Sequence, residues 1–197
     1  DGSDQKTNWV TPDFNDQAWK SGKAQLGYSS TSPEGDEVTT LGYGGNNNNK
    51  YITYYFRTTF TLADPSAVTS LTAHLLRDDG AAVYLNGWPA FRDGLPEGDL
   101  TYQTLSSITV GGADESTFFD HDMDPARLRA GVNVLAVEVH QSGASSSDLS
   151  FDFSLDAVAD PANKPPTASA GPDLAAVCGE WTTLNGAFAD DGLPAVP

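Results

Sequence analysis

The sequence predicts an all-β fold: a jelly-roll β-sandwich followed by a partial immunoglobulin-like segment. Three observations carry this. Short runs rich in Thr, Val, Tyr and Phe recur between turns, with 19 Gly and 12 Pro among 197 residues, and almost no stretch keeps a helical period beyond one or two turns. Asn86-Gly87 separates two apolar-rich runs, 81–85 and 88–92, and a type I′ hairpin turn requires positive φ at both of its central residues. Leu149, Phe151, Phe153 and Leu155 alternate with Ser150, Asp152, Ser154 and Asp156, as in a strand with one wet face.

Residues 1–50 are turn-rich, and Trp9 and Trp19 are expected to pin two indoles onto a core. Gly42-Tyr43-Gly44-Gly45 and Asn46 to Asn49 form a loop by composition. Strands are expected over 54–62 and 68–76, then the hairpin, where Pro89 moves the second strand toward a sheet edge. After a Gly/Pro/Asp loop at 93–99, strands are expected around 101–110, 117–123, 132–140 and 148–158. Asp124, Pro125 and Gly131 supply the cap, first position and stop of one helical turn. About eight strands with long end loops make a jelly roll over 1–158. A proline-rich linker spans 159–166, and 167–197 is too short for a sandwich of its own.

Twenty-seven acidic residues against 10 basic ones give a net charge of −17, carried mostly by Asp. An acidic solvated surface suited to a secreted protein accounts for this, and so do carboxylate-lined loops able to hold Ca²⁺. Nucleic acid and anionic membranes are disfavoured as partners. The single cysteine, Cys178, excludes an intrachain disulfide and a Cys/His zinc cluster. No apolar run is long enough to span a membrane, so no insertion is expected, and a signal peptide for export would lie upstream. Nucleophile elbow, zinc-binding His-Glu-x-x-His and phosphate-loop motifs are missing, so intrinsic catalysis is not expected.

The runs Trp9…Phe14-Asn15-Asp16…Trp19…Leu26-Gly27-Tyr28, Tyr55-Phe56-Arg57…Phe60, Leu76-Arg77-Asp78-Asp79-Gly80 and Asn133 to Gln141 resemble the galactose-binding-like jelly-roll modules of secreted bacterial multidomain proteins. Such modules accompany hydrolases and metallophosphoesterases. The resemblance covers 1 to about 158 and is specific for the fold, not for a ligand. These modules usually open with a further strand, which is expected ahead of Asp1. Asn163-Lys164-Pro165-Pro166, Ala170-Gly171-Pro172-Asp173 and Leu184-Asn185-Gly186 resemble the opening of a polycystic-kidney-disease-type or other immunoglobulin-like repeat. That implies a place within a longer extracellular chain, with tail strands that are flexible or pack on a neighbour.

Candidate site residues follow from their chemistry. Adjacent carboxylates at Asp78 and Asp79 can chelate Ca²⁺ and leave positions for vicinal sugar hydroxyls, and lectin domains of the anthrax protective-antigen type use a similar pair. In the alternative reading Asp79 caps its turn and Asp78 pairs with Arg77 or Arg57. Trp88, after the hairpin turn, offers an indole face for a sugar ring beside Arg92, Asp79 and Asn86, unless it packs against Phe91. Tyr43 and His140 would complete the site, although His140 can equally be a satisfied strand-end histidine. Asp120, Asp122 and Asp124 superficially resemble a calcium loop, but their alternation with His121 and Met123 reads as one wet strand face. His74 reads as buried and structural. The expected function is a non-catalytic, calcium-stabilised carbohydrate-binding module that targets its parent protein to a polysaccharide or glycan. The alternative is an interaction domain that stabilises or spaces a neighbouring hydrolase or metallophosphoesterase.

Overall fold

The computed structural model describes residues 2–29, 37–160, 167–169 and 187–189. Its strands are β1 (Leu26–Tyr28), β2 (Thr39–Thr40), β3 (Thr53–Leu62), β4 (Val68–Arg77), β5 (Gly80–Leu85), β6 (Trp88–Asp93), β7 (Phe119–Met123), β8 (Gly131–His140), β9 (Leu149–Ala159), β10 (Thr167–Ser169) and β11 (Ala187–Ala189). Nine of them form a sandwich of two sheets, ordered β2-β1-β9-β4-β7 and β3-β8-β5-β6. Every pairing is antiparallel except β1 with β2. The described residues contain 3₁₀ turns but no α-helix. β10 and β11 pair with each other; the expected linker starts later than 159, since Ala159 still belongs to β9, and 161–166 and the rest of the tail lie outside the described residues.

Alternation along the strands builds the core. Leu135, Val137 and Val139 of β8 face inward with Leu71, Ala73 and Leu75 of β4. Phe56 of β3 stacks on Phe151 of β9, centroids 4.2 Å apart, and so joins the two sheets. Val134, Ala136, Glu138 and His140 of β8 face the other way and are also buried, because the N-terminal segment covers part of that surface, while Val132 is exposed. Trp9 packs edge-on against Tyr55 at 4.8 Å and Tyr84 at 5.6 Å. The Arg57 guanidinium donates to the Trp9 carbonyl and to Asp16 Oδ2, the latter at 2.9 Å, which fixes the covering segment.

The hairpin forms as expected, with φ of 53° at Asn86 and 87° at Gly87, and β6 lies at a sheet edge. The Asn86 carboxamide donates from Nδ2 to the Arg127 carbonyl and to Asn133 Oδ1, each at 2.8 Å, and its Oδ1 accepts from Val134 N at 2.9 Å. Asn133, fully buried, accepts a second bond from Arg129 N at 2.9 Å and donates to the Arg129 carbonyl at 2.8 Å. Asn133→Ala is expected to cost about 3 kcal/mol, since the main chain at Arg129 and the Asn86 amide lose buried partners. Urea denaturation checks this, and Asn133→Leu should be no better, which separates lost hydrogen bonds from lost volume.

Two expectations differ. Around 101–110 no strand forms, because the main chain is satisfied otherwise: Ser106 N donates to the Gln141 carbonyl at 3.0 Å and Ser107 N to the Gly94 carbonyl at 2.8 Å. The loop lies so close to β5 that a Cβ on Gly80 would come within 2.7 Å of Ser106 Oγ. The helical turn exists as a 3₁₀ turn, Pro125–Arg127, with Asp124 Oδ1 accepting from Ala126 N at 2.9 Å.

Candidate functional site

The sequence-predicted residues do not gather into one site. Asp78, Asp79, His140 and Tyr43 lie at the loop-rich end of the sandwich, where β4, β8 and the loop preceding β3 meet, whereas Asn86 and Trp88 lie at the opposite end. Asp79 and Asn86 flank the two ends of β5, roughly 20 Å apart at the rise of a strand.

Asp79 is 1% exposed. Its Oδ1 accepts from Val110 N at 2.7 Å and its Oδ2 from Ser142 N at 2.6 Å, so one carboxylate clamps two loops to the strand ends. Asp78, 2% exposed, is pushed up to about 9, first by burial and then by the adjacent Asp79, with Asp148 and Glu115 adding like charge. Neither carboxylate pairs with the arginines considered from sequence: Arg77 donates to Asp93 at 2.9 Å and Arg57 to Asp16. A calcium ion does not fit this pair. The oxygens of Asp79 are engaged by main-chain N–H groups, and among the described residues no three or more His, Cys, Asp or Glu side chains are grouped to hold a metal ion.

His140 is fully buried beside this clamp. Its Nδ1 lies 2.7 Å from the Thr104 carbonyl and 3.0 Å from Thr53 Oγ1, so Nδ1 carries a proton for the carbonyl. Nε2 faces Glu138 Oε2 at 3.2 Å without hydrogen-bond alignment, and Glu138 Oε1 accepts from Tyr84 OH at 2.6 Å. Tyr43 packs against Tyr28 at 4.9 Å with the Lys50 ammonium 4.9 Å from its ring centroid. Burial pushes Tyr28 up to about 12. These groups hold loops together, with His140 fully buried and Tyr43 half-buried.

Trp88 is 55% exposed, as a binding indole needs, and it does not pack into the core. The Arg127 guanidinium lies 4.2 Å from its ring centroid, so a cation already occupies one face. Arg92 is exposed but donates to the Pro96 and Gly98 carbonyls at 3.1 Å and 2.7 Å, ordering its own loop. His74 is not buried: it bridges Asp120 at 2.6 Å and Asp156 at 3.2 Å on the outer face of the larger sheet, and these hydrogen bonds raise its pKa. Asp120 and Asp122 face water while Met123 is buried, as the alternation predicts.

A cleft of about 580 Å³ lies elsewhere. It opens because β3 ends its sheet and β1 covers β9 only at Leu149–Phe151, so the two sheets part on this side. It is lined by Asp16, Trp19 and Lys20 of the N-terminal segment, by Tyr55, Arg57, Thr58 and Thr59 of β3, and by Val137, Phe151 and Phe153. Trp19 is half-buried, held edge-on by Phe14 at 5.6 Å and by a turn in which its N–H donates to the Asp16 carbonyl at 2.8 Å. Asp16 is bonded to Arg57, whose guanidinium also lies 5.2 Å from the Phe14 ring centroid. The wall carrying Trp19 is therefore tied to β3 through one buried arginine. Sequence reasoning saw Trp19 only as a core pin, because the gap between sheets depends on strand order and no local pattern encodes it.

No protein-family model matches the chain, and no curated protein sequence does so. Among solved structures it is similar to part of a beta-glucuronidase from Bacteroides uniformis, at 13% identity and a TM-score of 0.43, over 75% of this chain and 16% of that one. It is also similar to part of an alpha-L-rhamnosidase from Dictyoglumus thermophilum, at 15% identity and a TM-score of 0.34, over 57% and 12% of the two chains. A beta-D-mannosidase from Dictyoglomus thermophilum matches at 16% identity and a TM-score of 0.30, over 46% and 9%. The chain thus spans 9% to 16% of the length of these glycoside hydrolases. The likeness is distant and assigns no residue a role.

Proposed function

We propose that the chain is a non-catalytic carbohydrate-binding module and that glycan enters the cleft beside β3, not the surface around Trp88. The observation that carries this reading is a cleft of about 580 Å³ whose lining brings Trp19, Lys20 and Asp16 together with Thr58 and Thr59 of the edge strand β3. A sugar ring has an apolar C–H face that stacks on an indole and equatorial hydroxyls that bond to carboxylate, ammonium and hydroxyl groups. The volume lies within the range of small-ligand sites. Monovalent affinity would be weak and raised by multivalency in a larger secreted chain.

Glycan-array and titration measurements on the chain test this. Trp19→Ala is expected to weaken binding about tenfold while its melting temperature confirms folding. Trp88→Ala is expected to leave binding unchanged. Retained binding in Trp19→Ala, or its loss in Trp88→Ala, would contradict the assignment.

A further inference from the structure

The cleft does not end at its polar walls. A second cavity of about 320 Å³ lies along the lower half of β3, lined by Phe60, Leu62, Val68, Leu71, Leu155 and Ala157. It shares Thr58, Leu135 and Phe153 with the first, so the two spaces adjoin. The side chains of the second are almost wholly hydrocarbon: among its lining residues only Thr58 has a polar side chain, at the junction. Its residues face the space between the sheets, where β9 beyond Phe151 has β4 on one side and no strand of the described residues on the other.

Polarity therefore falls along one path, from an ion pair, an ammonium and hydroxyls beside Trp19 to bare alkyl and phenyl groups at Ala157. A free sugar would satisfy only the first part, because its hydroxyls find no partners in the second and their desolvation would be uncompensated. A hydrocarbon alone would leave the polar walls unused. We infer that the site takes an amphiphile, a saccharide bearing an alkyl or acyl chain, with the sugar against Trp19 and the chain lying in the apolar slot between β3 and β9. This inference rests on the glycan reading of the first cleft. What commits the slot to this occupant is its continuity with that cleft through Thr58, Leu135 and Phe153.

The test is calorimetric titration of the unmodified chain with methyl, butyl, hexyl and octyl glycosides of glucose, galactose and mannose, below micelle-forming concentrations. Affinity is expected to rise about fourfold per methylene for at least one sugar series while the chain is filling the slot. Ala157 is exposed on β9, so Ala157→Trp should fold and fill the slot; it is expected to remove the chain-length dependence and leave methyl-glycoside binding unchanged. Methyl and octyl glycosides binding equally would overturn the inference and leave the glycan reading standing. Octyl sulfonate binding as tightly as every octyl glycoside would remove the glycan reading, and with it the saccharide head. No binding by any octyl glycoside would overturn the inference, as would a concentration-dependent dimer dispersed by Ala157→Trp, which would give the slot to a second copy of the chain.

Discussion

Asp79→Ala is expected to destabilise the fold by about 3 to 5 kcal/mol, the loss of two buried hydrogen bonds to a carboxylate. The N–H groups of Val110 and Ser142 would lose their carboxylate partner at the end of β5. Both loops are long, and the carboxylate is the shared point that fastens them to the strands, so amide exchange should accelerate in 94–118 and 141–148 before it does in β8. Urea denaturation at about pH 6 reads the stability and exchange reads the loops. A loss below about 1 kcal/mol would mean that the loops hold their places without the clamp.

The neighbouring substitution should act in the opposite direction. Asp78→Asn is expected to raise stability at neutral and alkaline pH. Burial, together with Asp79, holds the Asp78 carboxyl protonated in the folded chain up to about 9, whereas an unfolded carboxyl releases its proton near its ordinary value of 3.8. Between these limits folding takes up a proton. The contribution is therefore fully present below the unfolded pKa and is lost as pH rises toward the folded one, by up to about 1.4 kcal/mol per pH unit. Asparagine is neutral throughout, so the variant and the unmodified chain should agree near about pH 4 and diverge steadily toward about pH 8 in thermal melting. Parallel curves would show that Asp78 is not held protonated. Since Asp79 is one cause of the shift, effects at the two positions should not add.

The hairpin, the central β8, the alternating β9 and the capped turn at Asp124 were legible because each depends on residues within a few positions of one another. The Asn86 and Gly87 torsions and the edge placement of β6 followed from two dipeptides. β1 and β2 escaped notice because strands of three and two residues carry no periodicity. The loop over 101–110 looked like a strand because its Thr and Ile residues have strand propensity, yet its partners are Gly94, Gln141 and Asp79 from distant positions. Asp78-Asp79 suggested a ligand pair because a sequence shows acidity and not burial. Glu138 was the overlooked signal: an acid between Val137 and Val139 in an apolar strand implies buried partners, found here as Tyr84 and His140. The cleft itself arises from strand order and from the shortness of β1, and Trp19 acquires its place there through Arg57 and Asp16, 41 residues apart in the chain.

The most direct test of the glycan reading is the indole N–H resonances of the four tryptophans, followed while oligosaccharide is added to the isotopically labelled chain. The prediction is that the Trp19 signal shifts and saturates together with the amides of Tyr55, Thr58 and Thr59, while the Trp88 signal stays in place. A saturating shift at Trp88 with Trp19 unmoved would return the site to the hairpin edge and contradict the cleft as the place where glycan binds.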